Sequence, residues 1–196
     1  YSFIAGHNYL KKSEVDKISI LVNKSDKQII TKFEKNFSKV LGFGESIAFA
    51  SGRMGFFQLM KFLNIGIGDE VLMLGFTCSV MVNSVIRVGA KPIFYDIDKH
   101  TLGSHIKKLE YLINKKTKLI IAQHSFGIPC DIEPIVDIAN KKGIFLLEDC
   151  ALTFGSKKNN ITTGNFGDAS LFSTDHSKPI NTIIGGLIYS KNKIFL

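Results

Sequence analysis

The chain has 196 residues, is 45% hydrophobic with 16 phenylalanines and no tryptophan, and carries a formal charge of +8 with a pI near 9.3. That apolar content excludes a disordered chain, and the length suits one domain around one core. The lysines fall in scattered pairs (Lys11-Lys12, Lys115-Lys116, Lys141-Lys142, Lys157-Lys158) with no interleaved aromatic platform, which argues against a nucleic-acid surface and leaves modest attraction for a phosphorylated ligand. Cys78, Cys130 and Cys150 match no metal-ligand spacing and are too few for a disulfide framework, so they are expected reduced and the protein cytoplasmic. No apolar run reaches membrane-spanning length, and no signal peptide is expected. Because Tyr1 is not an initiator, a trimmed start is expected.

In chain order, the first 40 residues are polar and lysine-rich until Thr31 to Leu41, where Phe33, Phe37, Val40 and Leu41 recur at helical spacing. Residues 1–45 thus read as a helical lead-in, and 46–196 as the main domain. Gly42-Phe43-Gly44 breaks the helix, and Ile47 to Ala50 reads as a buried strand. Further strands fit Val71 to Leu74, Pro92 to Tyr95, Lys118 to Ala122, Ile144 to Leu147, Ala169 to Ser173 and Gly186 to Tyr189. Helices fit Met54 to Leu63, Ser79 to Val88, Ser104 to Ile113 and Ile132 to Lys142. Strands alternating with helices of this length predict right-handed crossovers: an α/β three-layer sandwich, its mainly parallel seven-stranded sheet covered by helices on both faces.

Ligands of such sheets gather at the carboxyl ends of the strands, where four stretches should meet. Ser51-Gly52-Arg53 lies between strand and helix, where free N–H groups favour a phosphate; alone, it also reads as an ordinary cap with Ser51 at the N-cap. Gly75-Phe76-Thr77-Cys78-Ser79 occupies a similar connection and says little by itself. Leu146-Leu147-Glu148-Asp149-Cys150-Ala151 ends an apolar strand on two carboxylates, which can face a site or cap the next segment. The fourth runs from Phe172 and Ser173 to Lys178, on the polar connection between two buried strands. Its amine could attack an aldehyde, although the stretch alone reads as a solvated loop lysine. Together they supply a phosphate cradle, an anion for a pyridine nitrogen and an amine for an aldehyde, the three requirements of pyridoxal phosphate. Gly42-Phe43-Gly44 precedes its strand and lacks a third glycine, which rejects a dinucleotide fingerprint.

From Phe33 to Lys191 the chain resembles the DegT/DnrJ family of pyridoxal phosphate-dependent sugar aminotransferases, within the aspartate aminotransferase fold. Phe33-Glu34, Ser51-Gly52, Gly66-Ile67-Gly68-Asp69-Glu70-Val71, Phe76-Thr77, Gly89-Ala90-Lys91-Pro92, Asp96-Ile97-Asp98, His124-Ser125-Phe126-Gly127-Ile128-Pro129, Glu148-Asp149, Phe166-Gly167-Asp168, Phe172-Ser173 and Lys178 to Gly186 resemble family landmarks in family order. The resemblance implies that Lys178 holds pyridoxal 5'-phosphate covalently and shuttles a proton, that Asp149 pairs with the pyridinium nitrogen, and that Ser173 with the backbone of Gly52 and Arg53 holds the phosphate. His124 and Phe126 are assigned packing and turn roles.

Arg53 stands where many members have Thr or Ser, Cys78 where many carry an aromatic that stacks on the cofactor, and Leu152 where Gln or His is usual. The chain is also expected to lack the family's smaller C-terminal domain. By resemblance, the function is amino transfer from glutamate to a nucleotide-linked keto-sugar, in a homodimer. A sugar dehydratase of the same family, with histidine in place of the lysine, and a non-catalytic fragment that binds cofactor or a partner subunit are the alternatives.

Overall fold

A computed structural model describes residues 10–21, 27–42 and 44–192. Seven strands form one sheet: β1 (Glu45–Phe49), β2 (Glu70–Leu74), β3 (Lys91–Tyr95), β4 (Thr117–Gln123), β5 (Phe145–Asp149), β8 (Ala169–Ser173) and β9 (Gly186–Ser190). Between β5 and β8 lies a separate two-stranded hairpin, β6 (Lys157–Lys158) and β7 (Ile161–Thr162). The sheet order is β1-β9-β8-β5-β4-β2-β3, and β9 alone runs against the other six, pairing antiparallel with both β1 and β8. The expected mainly parallel seven-stranded sheet is present.

The strands sort side chains to two faces with period two. Val71, Met73, Leu119, Ile121 and Leu147 join one core with Phe56 and Met60 of α3 (Gly52–Phe62) and Met81 and Val85 of α4 (Ser79–Arg87). Leu72, Leu74, Ile120, Ala122 and Leu146 face the opposite side, against Leu109 of α5 (Ile106–Leu109) and Ile135 and Ile138 of α6 (Glu133–Lys142). Burial on both faces explains why these strands are continuous apolar runs.

The lead-in comprises α1 (Lys12–Leu21) and α2 (Lys27–Leu41). Phe37 and Leu41 of α2 pack with Phe172, Leu187 and Tyr189, so α2 completes the helical layer over β8 and β9. Glu34 Oε1 accepts the Ala48 N–H at 2.8 Å, which occupies a backbone donor on edge strand β1.

Two elements differ from the sequence reading. The helix expected over Ser104 to Ile113 is only α5 followed by a 3-10 turn, Glu110–Leu112. Ser104 is held by the sheet instead: its Oγ accepts the Gln123 N–H at 2.9 Å and hydrogen-bonds the Tyr95 hydroxyl at 2.7 Å, and it bridges Ile97. The β6-β7 hairpin was not anticipated. Its turn uses Asn159 and Asn160 at φ 49° and 64°, the pair of left-handed residues a two-residue hairpin turn requires.

Candidate cofactor site

The carboxyl ends of β1, β4, β5 and β8 lie side by side because those strands are parallel. Gly186, at the start of antiparallel β9, pairs with Phe49 on one side and Ser173 on the other. Next along the edge, Asp149 pairs with Leu171 and Gln123. The register therefore brings the α3 start, Ser173 and Asp149 to one edge.

Ser51 caps α3, its Oγ and main-chain oxygen accepting the Met54 N–H at 3.3 and 3.1 Å. The ordinary cap is thus present, and it leaves the next amides available. The N–H groups of Gly52 and Arg53 and the hydroxyl of Ser173 have no hydrogen-bond partner among the described residues. A Cβ on Gly52 would stand 3.2 Å from the Phe172 oxygen and 3.6 Å from Ser173 Cα, so the helix start lies directly against the end of β8. Uncommitted N–H groups at a helix N-terminus beside a hydroxyl fit a phosphate. The Arg53 side chain is exposed and lines a groove of about 330 Å³ between α3 and α4, with Phe57, Gln58, Asn83 and Arg87. Arg87 stacks over the Phe57 ring at 5.0 Å.

Asp149 is buried at the last residue of β5, and among the described residues its carboxylate receives one hydrogen bond, from Ala151 N–H to Oδ1 at 3.0 Å. Burial pushes its carboxyl above the ordinary range, while the Ala151 N–H and the nearby Lys178 ammonium pull it back. A buried, sparsely hydrogen-bonded carboxylate fits the protonated nitrogen of a pyridine ring.

Lys178 sits on the connection between β8 and β9, partly buried. That connection is folded on itself: Thr174 N–H donates to Gly185 O at 3.0 Å, His176 N–H to Ile183 O at 3.1 Å and Lys178 N–H to Asp175 O at 2.9 Å. The fold returns Lys178 toward the end of β5, close enough for its charge to act on Asp149.

Cys78 is exposed at the N-cap of α4, with no side-chain cap bond. Its connection is tied to the end of β4 by Gln123 Nε2 donating to Phe76 O at 3.0 Å and by Phe76 against Phe126 at 5.9 Å. His124 and Glu148, which sequence reasoning did not place in the site, form a buried pair behind it, His124 Nε2 donating to Glu148 Oε2 at 3.0 Å. Strand alternation is the signal that separates Glu148 from Asp149.

Uncommitted N–H groups at a helix start, a buried carboxylate and a lysine on one edge of a mainly parallel sheet are an arrangement that would suit pyridoxal phosphate. The chain belongs to the DegT/DnrJ/EryC1/StrS aminotransferase family, whose description matches residues 19–195. The family is one of pyridoxal phosphate-dependent sugar aminotransferases.

The chain is 37% identical over 164 residues to GDP-perosamine synthase of Escherichia coli O157:H7, covering 84% of this chain and 45% of that protein. It is 34% identical over 167 residues to GDP-perosamine synthase of Vibrio cholerae, covering 85% and 46%. An aminotransferase structure from Psychrobacter cryohalolentis superposes with a TM-score of 0.90 at 27% identity, covering 96% of this chain and 49% of that one. In fold alone, the pyridoxal phosphate form of the sugar aminotransferase Spr1654 from Streptococcus pneumoniae is similar, with a TM-score of 0.90 at 22% identity over all of this chain and 55% of that one. The chain spans about half the length of the curated relatives it matches. Among the described residues no helix is long and apolar enough to cross a membrane.

Proposed function

We propose that the protein carrying this chain transfers an amino group, from glutamate, to a keto group on a nucleotide-linked sugar. The observation that carries this is the register that sets the α3 start, Ser173 and the buried Asp149 on one edge of the sheet, with Lys178 on the connection that leaves β8. Similarity to GDP-perosamine synthases supports the substrate class. When bound, the cofactor supplies an aldehyde that takes up the amino group and a conjugated ring that withdraws electrons. The N–H groups of Gly52 and Arg53 and the Ser173 hydroxyl hold its phosphate. Asp149 receives the ring N–H and keeps that nitrogen protonated. Lys178 Nζ would hold the cofactor through its aldehyde and, when released, would serve as the general base that moves a proton. Cys78, exposed at the α4 N-cap, would flank the ring, where many members of the family carry an aromatic.

The dehydratase alternative is disfavoured by the position of His176. Its Nδ1 lies 2.7 Å from Asp175 Oδ1 in an exposed pair, while the residue in reach of Asp149 is Lys178.

Met54, Phe76, Ile183 and Ile184 are exposed apolar residues on the segments that form the site edge, which supports a second subunit, in a cytoplasmic homodimer, as their cover. Borohydride reduction with peptide mapping, followed by an assay coupling 2-oxoglutarate release to a nucleotide keto-sugar, tests the reading. Label on Lys178 with turnover supports it. Label without turnover on any keto-sugar would favour the non-catalytic, cofactor-binding alternative.

A further inference from the structure

Glu148 and Asp149 are consecutive on β5, so their side chains leave opposite faces of the strand. Asp149 turns to the cofactor site, and Glu148 turns away from it into complete burial. A buried carboxylate is tolerated only when its oxygens are met by donors. Glu148 Oε1 accepts the N–H groups of Phe166 and Gly167 at 2.7 and 2.8 Å, and Oε2 accepts the Gly164 N–H at 2.8 Å and His124 Nε2–H at 3.0 Å. His124 Nδ1 accepts the Cys130 N–H at 3.1 Å, which leaves no room for a second ring proton. Burial lowers the imidazole pKa and contacts with Cys130 and Glu148 pull it up, but the Cys130 N–H occupies Nδ1, so the ring carries one proton, on Nε2 and aimed at Glu148.

Three of those four donors belong to the backbone of residues 164–167. The fourth, His124, comes from the end of β4, and its main chain also reaches β5. The His124 N–H donates to Asp149 O at 3.2 Å, and Thr153 Oγ1 donates to His124 O at 3.0 Å. His124 thus holds two consecutive residues of β5, Glu148 through its ring and Asp149 through its backbone. The β4-β5 ladder ends at the pair Gln123 and Asp149, so these contacts, with the Cys150 N–H donated to Leu171 O at 2.9 Å on the β8 side, fix the strand end beyond it.

We propose that His124 is a positioning residue of the cofactor site: by clamping Glu148 from behind, it sets the direction and depth of the Asp149 carboxylate against the cofactor's ring nitrogen. One carboxylate oxygen must meet one N–H, and small displacements of such a partner are costly when the site is dry. The inference rests on Asp149 facing that nitrogen, as proposed above.

Two substitutions separate the contacts of the ring. His124→Asn reaches only as far as Nδ1, keeping an acceptor for Cys130 N–H and losing the donor to Glu148. His124→Gln reaches the Nε2 position and restores an N–H there. Equilibrium binding of pyridoxal 5'-phosphate to the full chain, followed by absorbance, is expected to be similar for wild type and His124→Gln and about tenfold weaker for His124→Asn, the scale of loss seen for residues that orient a ligand's partner. In an Asp149→Asn background the additional loss from His124→Asn is expected to vanish, because there is no carboxylate left to aim.

Unchanged binding by His124→Asn, or the same tenfold loss persisting without the Asp149 carboxylate, would overturn the proposal in favour of a purely structural pair. If His124→Asn does not fold, Glu148→Gln carries the same cycle, with the same expected loss and the same overturning results. Wild-type protein that takes up no cofactor would overturn the site assignment first, and the inference with it.

Discussion

Gly186 and Gly52 meet backbone to backbone. A Cβ on Gly186 would overlap the Gly52 nitrogen and come 2.8 Å from the Phe172 oxygen, whereas one on Gly52 would stand 3.2 Å from that oxygen. Strand β9 can pair between β1 and β8 while α3 begins against it because Gly186 has no side chain. The uncommitted N–H groups of the α3 start lie beside Ser173 because of that close approach.

The two glycines should therefore respond unequally to alanine. Gly186→Ala must push the first turn of α3 away from Ser173, at an overpacking cost of about 1–3 kcal/mol, with loss of most cofactor affinity. Gly52→Ala needs a shift of a few tenths of an ångström and should cost less on both counts. Urea denaturation and cofactor titration of the two variants check this, and equal effects would mean that the helix start is not confined by β9.

Lys178→Ala is expected to fold normally, because the side chain is only partly buried on a connection, and to lose the borohydride-stable label. Removing its proton transfer alone should lower turnover by roughly 10²–10⁴-fold. Retention of label at another lysine in this variant would reassign the amine.

The sheet was legible because strands buried on both faces leave apolar runs such as Val71 to Leu74. Pairing carries some strands beyond the run: β5 continues through Glu148 and Asp149, whose partners are Ala122 and Gln123. Helix α1 was placed only within a helical lead-in, without bounds, because its apolar residues form no strong stripe, whereas α2 showed Phe33, Phe37 and Leu41. That Asp149 and Ser173 end strands and Gly52 starts a helix was legible from residue type and order. The support beneath Asp149 was not, because the partners of Glu148 come from 16 to 24 positions away in sequence.

Ile183 occupies the left-handed region at φ 71° on the connection that carries Lys178, and it is half exposed. A β-branched residue there is strained by about 1–2 kcal/mol, and its N–H is held by Asn181 Oδ1 at 2.7 Å. Ile183→Gly relieves the strain while loosening the unfolded chain, so a net stabilisation of about 1 kcal/mol is expected in chemical denaturation. Destabilisation would show that the exposed side chain is held by contacts worth more than the strain.

Asp149 offers a test in which stability and function move in opposite directions. Burial raises its carboxyl pKa in the folded protein above the unfolded value. The folded state then binds the proton more tightly than the unfolded state. Where pH lies below the unfolded value, both states are protonated and the group costs nothing. As pH climbs from the ordinary carboxyl range through the raised folded value, the unfolded chain ionises first, and cofactor-free stability falls. Each unit of separation is worth about 1.4 kcal/mol. Asp149→Asn removes the ionisation, so the cofactor-free variant should melt higher than wild type at neutral pH, and the gap should close toward acid. The same variant should lose roughly a hundredfold in turnover, because an amide no longer holds the ring nitrogen protonated. Melting curves of both proteins from acid to neutral pH, paired with a single-turnover assay, check the two limbs. A variant that is no more stable at neutral pH would mean that Lys178 offsets the burial of the carboxylate even without cofactor, and one with unchanged turnover would remove Asp149 from the site.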